Sequence, residues 1–179
     1  ANQIPMRVHA ITASTMMSQR DPWVNMLRTT TACFGAALGG ADAITVQPFD
    51  AAIRDPEELG FRIARNTQLI LQEETKAGLV TDPAGGSWYI EDLTKNLSIA
   101  SWREFQLIEK NGGLISALGS GILVNAFQTT RQKRMTEIAS RRAPITGVSE
   151  FPDVNESPIG KWEKKHLEDL DTVLNPATP

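Results

Sequence analysis

Short β-branched runs alternate with long apolar-periodic runs along this chain, and that alternation constrains its fold more than any other feature. Residues 6–12 (MRVHAIT) read as a strand. Asp21-Pro22 follows, an N-cap and first-turn pairing that opens helices. Val24, Leu27, Thr31, Phe34 and Leu38 then recur at helical spacing until Gly39-Gly40. Residues 43–46 (AITV) form a second strand. Asp55-Pro56-Glu57-Glu58 repeats the helix opener, with Glu58 placed as in a capping box. Its helix runs to about Lys76, through Leu59, Ile63, Ile70 and Leu71, and Gly78 ends it. Strand, loop and helix in repetition build a parallel sheet with helices outside.

Beyond Gly78 a short segment around Val80 leads into Asp82-Pro83-Ala84-Gly85-Gly86-Ser87-Trp88-Tyr89. The proline fixes one φ, the glycines allow close approach, and Ser87 can cap the helix that follows. Such a loop holds an anion at a helix N-terminus or turns the chain. Helices are expected at about 88–110, ending at Gly112-Gly113, and at about 122–141, with a last strand candidate at 145–148 (ITGV). After Ser149, Pro152, Asn155, Pro158 and Gly160 crowd together before a charged stretch, which reads as a linker with one short helix at about 161–173.

A closed (β/α)8 barrel takes roughly 250 residues and eight strands. This chain offers three strands and a candidate fourth in 179 residues. An open doubly wound sheet and half of a barrel both remain possible, since half a barrel would leave two edges bare. The start, Ala-Asn-Gln without methionine, favours a piece of something longer.

The strings Asp21-Pro22-Trp23-Val24-Asn25-Met26-Leu27-Arg28-Thr29-Thr30, Pro48-Phe49-Asp50, Ile63-Ala64-Arg65-Asn66-Thr67-Gln68, Gln72-Glu73-Glu74 and Asp82-Pro83-Ala84-Gly85-Gly86-Ser87 occur in one order. With them, the chain resembles the second half of the acyl-CoA-binding barrel of the methylmalonyl-CoA mutase family, adenosylcobalamin enzymes. The resemblance runs from about residue 6 to residue 150. It implies the C-terminal half of a (β/α)8 barrel over residues 1–149, threaded by the coenzyme A arm. Residues 150–179 would then be the arm toward a separate cobalamin-type domain.

The family has two kinds of subunit, and the departures from its motifs choose between them. Catalytic chains carry His-Cys-Gln-Thr-Ser-Gly where this one has His9-Ala10-Ile11-Thr12-Ala13-Ser14. The glutamine that faces the corrin is Ile11, which has no donor or acceptor. Where catalytic chains carry Ser-Phe-Asp-Glu-Ala-Leu, this one has Pro48-Phe49-Asp50-Ala51-Ala52-Ile53, so the glutamate of the cofactor site is Ala51. A tryptophan of the Asp-Pro-Trp-Gly-Gly-Ser motif is Ala84. The family-equivalent cofactor positions are therefore His9, Ile11, Ala51 and Ala52, and no catalytic residue is assigned. The Tyr-His pair that handles substrate lies upstream of Ala1. These swaps resemble the small, non-catalytic subunit, paired with a catalytic large subunit that holds adenosylcobalamin. A diverged catalytic chain performing the radical carbon-skeleton rearrangement is the alternative. The partners implied are the large subunit and the N-terminal half of the same barrel.

The remaining residues read plainly. His9 reads as a satisfied interior histidine, and Asp50 holds the loop after its strand. Arg62, Arg65, Asn66 and Gln68 make a polar helix seam or a substrate contact. Arg131, Lys133, Arg134, Arg141 and Arg142 form a solvated face without the aromatic residues that stack nucleic-acid bases. A net charge of −3 supplies no field toward nucleic acid or anionic membrane. The one cysteine, Cys33, reads as core and excludes a disulfide framework, which suits a cytoplasmic protein. No metal-ligand spacing occurs, and His9 and His166 are too few for a Ser-His-Asp arrangement.

Overall fold

The computed structural model describes residues 6–156, which divide into two compact units. The first comprises the chain up to Pro83 together with the segment that begins at Thr146; the second is Ala84–Ile145. The fold class is α/β. The helix expected at 161–173, His166 and most of the expected linker lie outside the described residues.

The first unit is built on β1 (His9–Ile11), α1 (Val24–Leu38), β2 (Ala43–Thr45) and α2 (Glu58–Leu69), the last continued by a π turn at Ile70–Glu74. The two strands pair in parallel, His9 opposite Ala43, Ala10 opposite Ile44 and Ile11 opposite Thr45. The Val8 N–H donates to the Asp42 carboxylate at 2.7 Å and the Asp42 N–H returns to the Val8 carbonyl at 2.9 Å, extending the pairing at one end. Because side chains alternate across a strand, Ile44 and His9 point to opposite faces. Ile44 packs on a cluster of Cys33, Val46, Ala64 and Leu71, from α1, the residue after β2, α2 and the π turn. His9, Ile11, Ala43 and Thr45 lie exposed on the other face. Burial pushes the Cys33 thiol above its ordinary 9.0, so it stays protonated and behaves as a small hydrophobe.

Several expected boundaries differ, each for a local reason. Asp21 takes a left-handed φ of 44° and is not the cap of α1; the helix starts at Val24, with Trp23 in the cap position. Its buried stripe is Asn25, Thr29 and Cys33 rather than the larger apolar positions, and Leu27 and Phe34 are exposed. Small and polar residues let α1 sit close to the sheet and the loops above it. The start of α2 is shifted from the expected cap at Asp55: the helix begins at Glu58 with Glu57 in the cap position, and the Glu57 carboxylate pairs with Arg54 at 2.8 Å. The helical run ends at Glu74, and Lys76 just beyond it takes a φ of 52°, two residues before Gly78.

The strand candidate at 145–148 does not form. Residues around Val80 form turns, and Thr146 makes a single bridge to Glu150 across a tight turn. Among the described residues the sheet therefore has two strands.

The second unit holds α3 (Trp88–Lys110), α4 (Gly113–Gly119) and α5 (Ile122–Ala139). The first of these matches its expected span. Gly112 and Gly113, both at positive φ, break the chain as expected, but one further short helix follows before α5. Arg141 at φ 57° lies beyond the end of α5. Only Ala117 of this unit is buried. No helix among the described residues is long and apolar enough to cross a membrane.

Candidate functional site

The loops at the C-terminal ends of β1 and β2 meet at one place, where parallel α/β folds keep their working residues. Hydrogen bonds to buried side chains hold them there. The Gln47 N–H donates to the Thr12 hydroxyl at 2.8 Å, tying the exit of β2 to that of β1. Asn25, fully buried at the start of α1, joins the rest. Its amide nitrogen donates to the Ser18 carbonyl at 2.8 Å and the Phe49 carbonyl at 2.9 Å. Its oxygen accepts from the Ser18 N–H at 2.9 Å and from the Arg28 guanidinium at 2.7 Å. All four hydrogen-bonding capacities of the side chain are thus used. Trp23 stacks on Phe49 at 5.2 Å between ring centroids.

A third segment closes on the same loops. Arg28 donates to the Thr146 carbonyl at 2.5 Å, and the Asp21 N–H donates to the Glu156 carboxylate at 2.7 Å. Thr146 is thereby tied to α1 and Glu156 to the loop after β1.

Asp50 sits under the β2 loop with no exposed surface. One carboxylate oxygen accepts from Arg54 at 3.3 Å and, at the long limit of 3.5 Å, from the Glu57 N–H at the start of α2. The other oxygen is buried without a hydrogen-bond partner and faces Gly60. A Cβ at Gly60 would overlap that oxygen and lie 3.1 Å from Pro48 Cβ, so only glycine fits.

Of the sequence-derived positions, His9 and Ile11 share the open face of the sheet, and the His9 Nε2 lies 2.8 Å from the Thr45 hydroxyl. Ile11 is 58% exposed and presents only carbon there. Ala51 and Ala52 lie half-buried in the β2 loop, and Gln19 donates to the Ala52 carbonyl at 3.2 Å. Within β1 and β2, His9 and Thr45 are the polar side chains on that sheet face. Arg62 and Arg65 are exposed on α2, whereas Asn66 and Gln68 are half-buried.

The 82–89 segment is a run of turns whose N–H groups are partly spent. The Ser87 N–H donates to the Ala84 carbonyl at 3.1 Å and the Gly86 N–H to the Glu91 carboxylate at 3.1 Å. Ser87 occupies the cap position of α3, but its hydroxyl makes no cap bond. The loop is thus a chain reversal that carries its own anion. Arg131, Lys133 and Arg142 line an open groove along α5 and its end. The described residues hold no cluster of three metal-ligating side chains.

Sequence reasoning missed Asn25, Thr12 and Gln47. The first lies inside a quoted motif, but nothing in periodicity marks a polar residue as buried. Its only signal is an amide in the first turn of a helix that follows a strand and a long loop.

A family profile described as methylmalonyl-CoA mutase matches residues 1–172. The methylmalonyl-CoA mutase small subunit of Streptomyces virginiae is 53% identical over 153 residues, 86% of this chain and 25% of that protein. The probable small subunit of Mycobacterium bovis is 51% identical, covering 83% of this chain and 25% of its own length. The small subunit of Propionibacterium freudenreichii subsp. shermanii is 44% identical over 86% of this chain and 24% of that protein. The chain spans about a quarter of the length of these relatives.

Proposed function

The chain belongs to the methylmalonyl-CoA mutase family, and from that premise we propose that it is part of the small, non-catalytic subunit of a cytoplasmic mutase heterodimer. Its place is the C-terminal half of the acyl-CoA-binding (β/α)8 barrel, followed by the arm toward a cobalamin-type domain. The parallel β1–α1–β2 unit supports this, with helices on one sheet face and the other face open, as the inside of a barrel half would be. The heterodimer is an isomerase interconverting methylmalonyl-CoA and succinyl-CoA.

The observation that carries the non-catalytic role is Ile11, an exposed hydrocarbon side chain on the strand face where catalytic chains place a corrin-facing amide. Ala51 repeats the loss on the neighbouring loop, where a glutamate stands in those chains. Hydrogen bonds to charged groups contribute about 1.5–3 kcal/mol each and neutral ones about 1 kcal/mol. These positions do not fit adenosylcobalamin, which the large subunit holds. What this chain contributes is a rigid scaffold: Asn25, Thr12 and Asp50 hold the loops in place whether or not a cofactor is present.

Titrating the full-length subunit with adenosylcobalamin, followed by its visible spectrum, tests this reading. No saturable change is expected at micromolar cofactor. Saturable binding would overturn it in favour of a diverged catalytic chain.

A further inference from the structure

Asp21 holds a backbone shape that is uncommon for a residue with a side chain. Its φ of 44° lies in the left-handed region, in the turn where the loop after β1 enters α1. Pro22 beside it is fully buried and anchors the helix side of that turn. Asn25 anchors the other side through its bonds to Ser18. Between the anchors, Gln19 donates to the Ala52 carbonyl at 3.2 Å, so the turn also reaches the β2 loop. A residue in a sparsely populated conformation persists only where surrounding contacts over-determine it. Two of those contacts come from the far end of the described chain.

The Asp21 N–H donates to one Glu156 oxygen at 2.7 Å, and the other oxygen lies 3.9 Å from the Arg20 guanidinium. The Arg20 side chain is 78% exposed, so that ion pair adds little, and the charge-assisted bond to the amide is the strong contact. Gly147 is buried against the Asp21 side chain. A Cβ there would stand 2.9 Å from the carboxylate and 3.1 Å from the Asp21 Cβ. The φ of Gly147, 79°, favours glycine for a second reason. Its N–H donates to the Glu150 carbonyl at 2.8 Å, and Arg28 of α1 holds the Thr146 carbonyl at 2.5 Å. Two points of one segment thus grip one residue, and a third grips the helix beside it. All three contacts lie within the chain itself and need no partner or cofactor.

We propose that Gly147 and Glu156 form a strap whose release point is Asp21. With the strap in place, residue 21 keeps its left-handed φ and Gln19 keeps its bond to the β2 loop. With Glu156 withdrawn, residue 21 leaves that region and the 19–23 turn opens, while α1 and α2 stay folded. A pull on the chain beyond Glu156 thereby reaches the loops at the C-terminal ends of both strands. The test is amide hydrogen exchange of the full-length protein, read segment by segment. In Glu156→Ala, exchange across 19–23 is expected to rise roughly ten- to a hundredfold, as for one lost hydrogen bond to a charged group. Exchange in α2 should stay within about twofold of wild type. Gly147→Ala, which pushes on Asp21 from the other side, should leave the same footprint. Glu156→Gln keeps the accepting oxygen and should match wild type. In an Asp21→Gly background the left-handed φ carries no strain, so Glu156→Ala should lose most of its effect on the neighbouring amides. A rise spread evenly over the first unit would overturn the proposal, because the contact would then serve only overall stability. So would no rise in Glu156→Ala, an equal rise in Glu156→Gln, or an undiminished effect in the Asp21→Gly background.

Discussion

Asn25 shows how one side chain can set the geometry of two loops. Truncating it leaves the carbonyls of Ser18 and Phe49 and the Ser18 N–H facing each other in a space without a partner. Buried groups left unpaired cost about 1–3 kcal/mol each, so Asn25→Ala is expected to destabilise the full-length subunit by about 3 kcal/mol, read from urea denaturation. Asn25→Asp keeps the shape but loses both donated bonds, and should cost nearly as much. Gly60 makes a second point at the same scale. A Cβ there would overlap the unpartnered Asp50 oxygen, so Gly60→Ala must push the β2 loop away from α2. Strain of this kind costs typically 1–3 kcal/mol. An unchanged denaturation midpoint for Gly60→Ala would contradict the close approach. Neither residue stands out by type, since burial is a property of the folded chain.

Among the elements, the exit from the π turn that follows α2 invites the simplest change. A lysine in the left-handed region costs roughly 1–2 kcal/mol relative to glycine, and Lys76 sits there with its φ at 52°. Lys76→Gly should therefore raise the melting temperature, offset in part by the entropy glycine adds to the unfolded chain. The same position shows what was legible in the sequence. Gly78 was the natural stop signal, but the helical run ends at Glu74, because backbone hydrogen bonds from Thr75 and Ala77 close the π turn first. Long periodic helices such as α3 were readable to the residue, because many spaced positions vote together. The face of α1 was not: its larger apolar residues point away from the sheet, since Asn25 and Thr29 are needed on the inner side. The strand candidate at 145–148 failed because a four-residue run with Gly147 at positive φ fits a turn as easily as a strand.

At the scale of the whole molecule, too little is buried for independence. The first unit has a small cluster around Cys33 and Val46, and the second buries a single alanine. Isolated, the 179 residues are expected to associate in gel filtration and to melt broadly. A clean monomer with a sharp, cooperative transition would contradict that expectation and the barrel-half reading. One contact also places a clock on assembly. The Asp21 amide is satisfied by Glu156, 135 residues further along. A ribosome adding 5–20 residues per second takes roughly seven to thirty seconds to cover that distance. Through that interval the β1 loop is held by Asn25, Thr12 and Gln19, with the Asp21 amide left to water. The emerging chain would present its helices to chaperones before the first unit can close.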